Sequence, residues 1–198
     1  SGAYSYSSTT AAVCSVNSST GAVTILSAGT CSITVTKAAD GNYNVATGST
    51  SIVISKANQA AVTASKSANT TYGSTTQITV TGSGGSGTGA FSYSSSTTGI
   101  CTINSSTGVI AIVTAGDCVL TATKAADTNY NQASGNVTIT IAKATQATVS
   151  TSATRTTSTY GDGSTNTIAL TGGSGTGATS FASTTTAVCS VDPSTGAL

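Results

Sequence analysis

The chain contains no histidine, methionine, tryptophan or glutamate, and a single proline. Without His or Glu the general bases reduce to five Asp, none set beside a serine or cysteine with an orienting partner. Acid–base and nucleophilic catalysis therefore have no inventory to draw on. Charge is scarce too: 6% of residues are charged and the formal net charge is +1. No field of that size gathers a polyanion or steers a charged substrate, which argues against a nucleic-acid partner. No apolar run approaches the ~20 residues a membrane helix needs. No membrane span is expected in this segment, and any export signal or anchor is expected to lie outside it. The glycine run Gly82-Ser-Gly-Gly-Ser-Gly-Thr-Gly89 and its echo Gly172–Gly177 lack the Lys-Ser/Thr ending of a phosphate loop, and no helical pattern follows them. They read as flexible inter-strand loops, and no cofactor is expected.

What the chain has instead is hydroxyl groups and repetition. It holds 33 serines and 43 threonines among 198 residues. Such polarity suits a disordered chain, but disorder usually comes with charge and few β-branched residues. Here alternating Val/Ile/Thr runs recur, so the chain reads as folded. The string Cys14-Ser-Val-Asn-Ser-Ser-Thr-Gly21 returns as Cys-Thr-Ile-Asn-Ser-Ser-Thr-Gly at Cys101–Gly108 and again, as Cys-Ser-Val-Asp-Pro-Ser-Thr-Gly, at Cys189–Gly196. The repeat is thus 87 and then 88 residues long, the size of a small sandwich domain rather than a solenoid coil. Register divides the chain into the C-terminal part of one repeat (1–56), a complete repeat (57–143) and the N-terminal part of a third (144–198).

The five cysteines fall at matching repeat positions, which argues for disulfides and an oxidising, extracytoplasmic setting. The expected pairs are Cys14–Cys31 and Cys101–Cys118. The register partner of Cys189 would be position 206, beyond Leu198, so its bonding partner is expected outside the chain shown. Within 57–143, strand-like alternation bounded by Gly, Asn and Ser turns appears at 59–64, 77–81, 90–94, 100–104, 108–114, 118–124 and 137–143. Seven short strands and no sustained helical period predict an all-β fold of tandem Ig-like β-sandwich domains with one disulfide each. Core candidates are Ile110, Ile112, Leu120, Ile139 and Ile141, with Tyr93 and Tyr130.

The string Ala12–Thr36, followed by Lys37-Ala-Ala-Asp-Gly-Asn-Tyr-Asn44 and closed by Ser55-Lys-Ala-Asn-Gln59, resembles the bacterial Ig-like tandem repeats of large cell-surface proteins. The resemblance covers essentially the whole chain. It implies an extracellular, array-forming, non-catalytic module of a filament or adhesin stalk, and names no ligand. The core Trp and the cysteine placement of antibody-type domains are missing, so antigen-receptor recognition does not carry over.

Several motifs have a functional reading beside a structural one. Asp40, Asn42 and Asn44, and likewise Asp127, Asn129 and Asn131, space oxygen ligands as the start of a calcium loop does. Val45 and Gln132 stand where an EF-hand needs glycine, and no Glu is available to close the loop. Asx turns with Tyr43 and Tyr130 folded onto the sandwich are the preferred reading. Thr-x-Thr pairs such as Thr121-Ala-Thr123 alternate with apolar residues as half-exposed strands do, which disfavours an ice-binding face. A self-formed Lys–Asn crosslink would need a buried acid near Lys124, and Asp127 is too local to supply one. The sequons at Asn17, Asn69, Asn104 and Asn136 matter only in a glycosylating host. The expected partners are neighbouring repeats in a fibre, with glycans or other cells as the alternative.

Overall fold

The computed structural model describes residues 2–161 and 163–198. Every strand-length element among them is β, and the chain forms two compact units, one ending at Lys143 and the other beginning at Ala144.

The first unit opens with β1 (Tyr4–Ser8), β2 (Cys14–Val16), β3 (Val23–Ile25), β4 (Gly29–Lys37) and β5 (Ala46–Ile54). It continues with β6 (Val62–Lys66), β7 (Thr70–Thr71), β8 (Val80–Gly84), β9 (Phe91–Ser95), β10 (Cys101–Ile103), β11 (Ile110–Ile112), β12 (Gly116–Lys124) and β13 (Ala133–Ala142). In residues 57–143 these strands make a sandwich. One layer runs β7-β13-β12-β9, with β7 parallel to the end of β13. The other joins the β6–β8 pair to the β10–β11 pair through a bridge between Thr79 and Val109, where Val80 N–H donates to Gly108 O and Ile110 N–H to Ile78 O.

The core lies between the layers. Alternation along β12 and β13 turns Cys118, Leu120, Ile139 and Ile141 inward onto Ile78, Val80 and Cys101, all buried. Cys101 in β10 and Cys118 in β12 are bonded, so the disulfide ties one layer to the other; Cys14 and Cys31 do the same between β2 and β4. The same local turn presents each first cysteine. Ile100 and Cys101 N–H both donate to Thr97 O while the Thr97 hydroxyl accepts Val119 N–H at 2.9 Å, and Thr10 repeats the arrangement for Cys14 with Ser32 N–H. The hydroxyl thus fastens the turn to the strand that carries the partner cysteine.

Residues 2–56 repeat the topology of 89–143, with sheet order β1-β4-β5 and the β2–β3 hairpin. The packing differs. Ile139 is 1% exposed beneath β6 and β8, whereas Ile52, at the same register opposite a disulfide cysteine, is 44% exposed, and Ile25 and Val53 are also open. Among the described residues no strand pair lies over β4 and β5 as β6 and β8 lie over β12 and β13.

The second unit contains β14 (Val149–Ala153) and β15 (Ile168–Gly172), paired antiparallel in the manner of β6 and β8. Cys189 sits in the same Thr-capped turn, with its N–H and that of Val188 donating to Thr185 O, and its thiol is free and exposed.

Three expectations need correction. The complete repeat has eight strands rather than seven, because Thr70–Thr71 adds the short parallel strand β7. The glycine run 82–89 is not wholly a loop, since β8 extends through Gly84. The reason lies across the sandwich: Gly82 N–H donates to the Tyr93 hydroxyl at 3.1 Å, and a Cβ on Gly82 would stand 2.4 Å from the Phe91 ring. Glycine here admits an aromatic pair against a strand. Finally, Tyr43 does not fold back. It is 75% exposed, while its counterpart Tyr130 is half-buried beside Gly87 and bridged to Ala57.

Candidate functional site at the Asp127 loop

The polar groups of the first unit converge on the loop after β12. Asp127 begins it as an Asx turn: Oδ1 accepts the N–H of Asn129 and of Tyr130, both at 2.9 Å, and Asp127 N–H donates to Tyr130 O. The other carboxylate oxygen reaches the glycine run, where Oδ2 accepts the Thr88 amide at 2.6 Å and the Thr88 hydroxyl at 3.2 Å. A Cβ on Gly87 would lie 2.4 Å from that same oxygen, so glycine is what lets the two loops approach. The Thr88 amide and then the Asn129 amide are the main donors holding the Asp127 carboxyl below the usual carboxylate range, with the Tyr130 amide and Thr88 hydroxyl adding to them against partial desolvation.

Gln59 fastens the chain entering the repeat to the same place. Its Oε1 accepts Gly87 N–H at 3.2 Å and its Nε2 donates to Ala125 O at 3.1 Å, while Ala60 N–H donates to the Ser86 hydroxyl. The device recurs in the second unit, where Gln146 Oε1 accepts Ser174 N–H at 2.6 Å and Gly175 N–H at 2.9 Å. Lys124 lies with its ammonium 4.8 Å from the Phe91 ring centroid, as Lys37 does over Tyr4 at 5.2 Å. That places Lys124 on an aromatic face.

The loop also meets the segment that precedes it. Ala57 N–H donates to Asn129 O and Asn131 N–H donates to Ala57 O, both at 2.8 Å, so the connecting chain runs parallel to Tyr130. Asn131 Nδ2 donates to Asn58 Oδ1 at 3.0 Å. Lys56 Nζ donates to Asp127 O at 2.6 Å, and Asn129 Oδ1 accepts the backbone N–H of Ala28, in the β3–β4 turn, at 2.8 Å. Ala28, residues 56–58 and residues 127–131 thus form one hydrogen-bonded joint.

The calcium candidates are placed accordingly. Asp127, Asn129 and Asn131 come together, but their oxygens and amides serve the joint and the Asx turn. Asp40 Oδ1 accepts Asn42 and Tyr43 N–H at 2.9 and 3.0 Å in the counterpart loop. Among the described residues no three His, Cys, Asp or Glu side chains gather. Sequence reasoning missed Lys56, Gln59 and Ala28 as members of the site. Gln59 and Gln146 recur at the repeat spacing and were a usable signal; the Ala28 contact had none.

Elsewhere a groove of about 480 Å³ is lined by Tyr72, residues 73–77, Ile78, Ile110 and Ile112. Tyr72 is half exposed on it.

The strand order, the inter-layer disulfides and the repeated topology define an all-β chain of tandem Ig-like sandwich modules. No protein family and no curated protein sequence matches it. Among solved structures it is similar to the surface layer protein SbsC, domains 1-6, with a TM-score of 0.34 and 15% identity, over 84% of this chain and 29% of that one. Mouse cadherin-23 EC22-24 gives a TM-score of 0.35 and 16% identity over 98% and 74% of the two chains. Drosophila N-cadherin EC1-3 gives 0.30 and 13% over 72% and 56%. The chain spans less than a third of the surface-layer structure it matches.

Proposed function

We propose that this chain is a structural repeat segment of a long extracellular surface filament or adhesin stalk, in which each sandwich is a semi-rigid, disulfide-stapled spacer. The observation that carries the reading is the joint: residues 56–58 pass from one set of strands to the next with Lys56, Ala57 and Asn58 all hydrogen-bonded to the Asp127 loop. A connector held at every residue has little freedom to hinge. The partition into 1–56, 57–143 and 144–198 follows the same logic, with each joint at a Lys-Ala pair.

Two further features support a spacer exposed to an oxidising exterior. Both cystines are fully buried between layers, where they add about 3 kcal/mol each in the chain-entropy model to domains with few large side chains. The hydroxyl-rich, nearly uncharged surface is hydrated without attracting counter-charged partners. Electron microscopy of the intact material tests the proposal: extended, regularly beaded fibres are expected, and separate globular particles would overturn it.

A second reading, a glycan- or cell-binding adhesive module, draws on the Tyr72 groove, where a half-exposed ring beside polar residues offers a stacking face for a sugar. Saturable binding on a glycan array, lost in Tyr72→Ala, would favour it over the spacer.

A further inference from the structure

Within the complete repeat, the chain that enters meets the strand that leaves along one edge. β6 lies close over β13, where a Cβ on Gly135 would stand 2.3 Å from Val62 O. The chain then crosses from the β6–β8 layer to take its place beside β13 as β7. At the start of the crossing Ser67 N–H still donates to Thr79 O. Backbone pairing with β13 begins only at Thr70–Ile141 and Thr71–Ala142, and Tyr72 N–H continues it onto Ala142 O at 2.8 Å. Two side chains span the residues between. Lys66 Nζ donates to Thr138 O at 2.7 Å and to Asn69 Oδ1 at 2.6 Å, and the same Oδ1 accepts the Thr140 N–H at 3.2 Å. Lys66 and Asn69 lie 72 and 71 positions from these β13 partners, in step with the register that β7 keeps with Ile141 and Ala142. Side chains and backbone therefore make one parallel ladder along β13, from Thr138 to Ala142.

We infer that Lys66 and Asn69 are a strap that lengthens the two-residue strand β7 into a clamp against tension drawn through the repeat from Ala57 to Lys143. The inference rests on the spacer reading, which sends such tension along the chain. Its direction follows from the topology. β7 and β13 are parallel, so a pull at the two ends of the repeat draws β7 back toward Ala57 and β13 forward toward Lys143. The two slide lengthwise, and the rungs between them are loaded together instead of opening one at a time. Two backbone pairs alone make a short clamp. The strap adds Thr138 and Thr140 to it, with an ammonium as donor, which gives a stronger hydrogen bond than a neutral group does. The strap is not copied with the repeat. Ala153 pairs with Ile168 at the end of β14 as Lys66 pairs with Val80 at the end of β6, and 154–160 contains no asparagine. Mechanical resistance is thus set module by module, by two exposed or half-exposed side chains outside the core.

The test pulls the full chain by its two ends at constant force, with the complete repeat recognised by the contour length that 57–143 releases. Lys66→Met and Asn69→Ala should each raise its unfolding rate about 2- to 10-fold at a fixed force, the effect of one hydrogen bond lost before the barrier. Asn69→Asp keeps an oxygen for both donors and should unfold no faster than the wild type. Asn136→Ala is the matched control. It removes another exposed side-chain hydrogen bond, from the Thr121 hydroxyl at 2.9 Å, which joins β12 to β13 and not the entering chain to the leaving one. Its rate under force should equal that of the wild type. Circular dichroism establishes that each variant is folded before it is pulled. Unchanged rates in both strap variants, an equal acceleration in Asn136→Ala, or an Asn69→Asp as fast as Asn69→Ala would each overturn the inference. Fibre images bear on the spacer reading alone, so the two can fail separately.

Discussion

Thr88 gives both of its donors to one carboxylate oxygen of Asp127, the amide at 2.6 Å and the hydroxyl at 3.2 Å, and so ties the glycine run to the joint loop. The donors favour the ionised acid and hold its pKa below the ordinary carboxylate value. The sign follows from linkage. A carboxyl whose folded pKa is depressed contributes stability that is full above the unfolded value and is lost as pH falls through the folded one. The melting temperature is therefore expected to hold from neutral pH down to the ordinary carboxylate range, and to fall below it. Asp127→Asn should lower the melting temperature at pH 7 and flatten that acid limb. An equal acid limb in the variant and the wild type would contradict the assignment. Asp192, held low by Thr195 and Ser194 amides, adds the same sign from the second unit.

The buried and open isoleucines offer a controlled comparison. Ile139 is 1% exposed and Ile52 44%, yet both face a disulfide cysteine across an antiparallel pair. Ile139→Ala removes fully packed atoms and is expected to cost about 2–5 kcal/mol. Ile52→Ala, already half in water, should cost less than about 1.5 kcal/mol. Denaturant unfolding of each variant measures the difference, and equal losses would show that β5 is covered in solution as β13 is.

Much of this fold was legible because its signals are local. Alternation along 118–124 and 137–143 reports a face buried on one side, and the cysteines recur with the repeat. What sequence did not disclose depends on distant neighbours. Thr70–Thr71 is too short to carry a pattern, and is a strand only because the end of β13 lies beside it. Gly82–Gly84 resembles loop chemistry until Phe91 is placed against it. Tyr43 and Tyr130 sit in nearly the same local string, and only the presence of Gly87 and Ala57 beside one of them separates exposed from half-buried. Val62, Ile78 and Val80 are not among the core candidates read from the sequence, yet all three are buried, and Ile78 and Val80 pack in one cluster with Ile139 and Ile141.

The Gly82–Phe91 contact predicts a size-dependent penalty with a specific rescue. A methyl group at 82 would meet the ring at 2.4 Å, so Gly82→Ala forces Phe91 aside and is expected to cost about 1–3 kcal/mol. Phe91→Leu alone loses aromatic packing and the Lys124 face. In the double variant the smaller side chain makes room for the methyl group, so the two losses should sum to more than the double variant shows. Strict additivity in a double-mutant cycle would mean that the two sites do not press on each other.

The proposed spacer role makes a mechanical prediction at the disulfides. Cys101 and Cys118 are 17 positions apart with Cα atoms 5.7 Å apart, and the chain between them cannot extend while the bond holds. Stretched by force, an oxidised domain hides that segment. Reduction frees it, adding roughly 55 Å of contour length per domain at about 3.5 Å per residue. Single-molecule extension of the chain with and without a reductant reads this directly, and in Cys101→Ala/Cys118→Ala that domain should show the longer value under both conditions, leaving only the Cys14–Cys31 segment to respond to the reductant. The same double variant should lower equilibrium stability by about 3 kcal/mol, because its unfolded state regains the closed loop's entropy. An unchanged contour length on reduction would mean that the bond does not limit unravelling. The cystine would then serve folding stability alone and not the proposed transmission of tension.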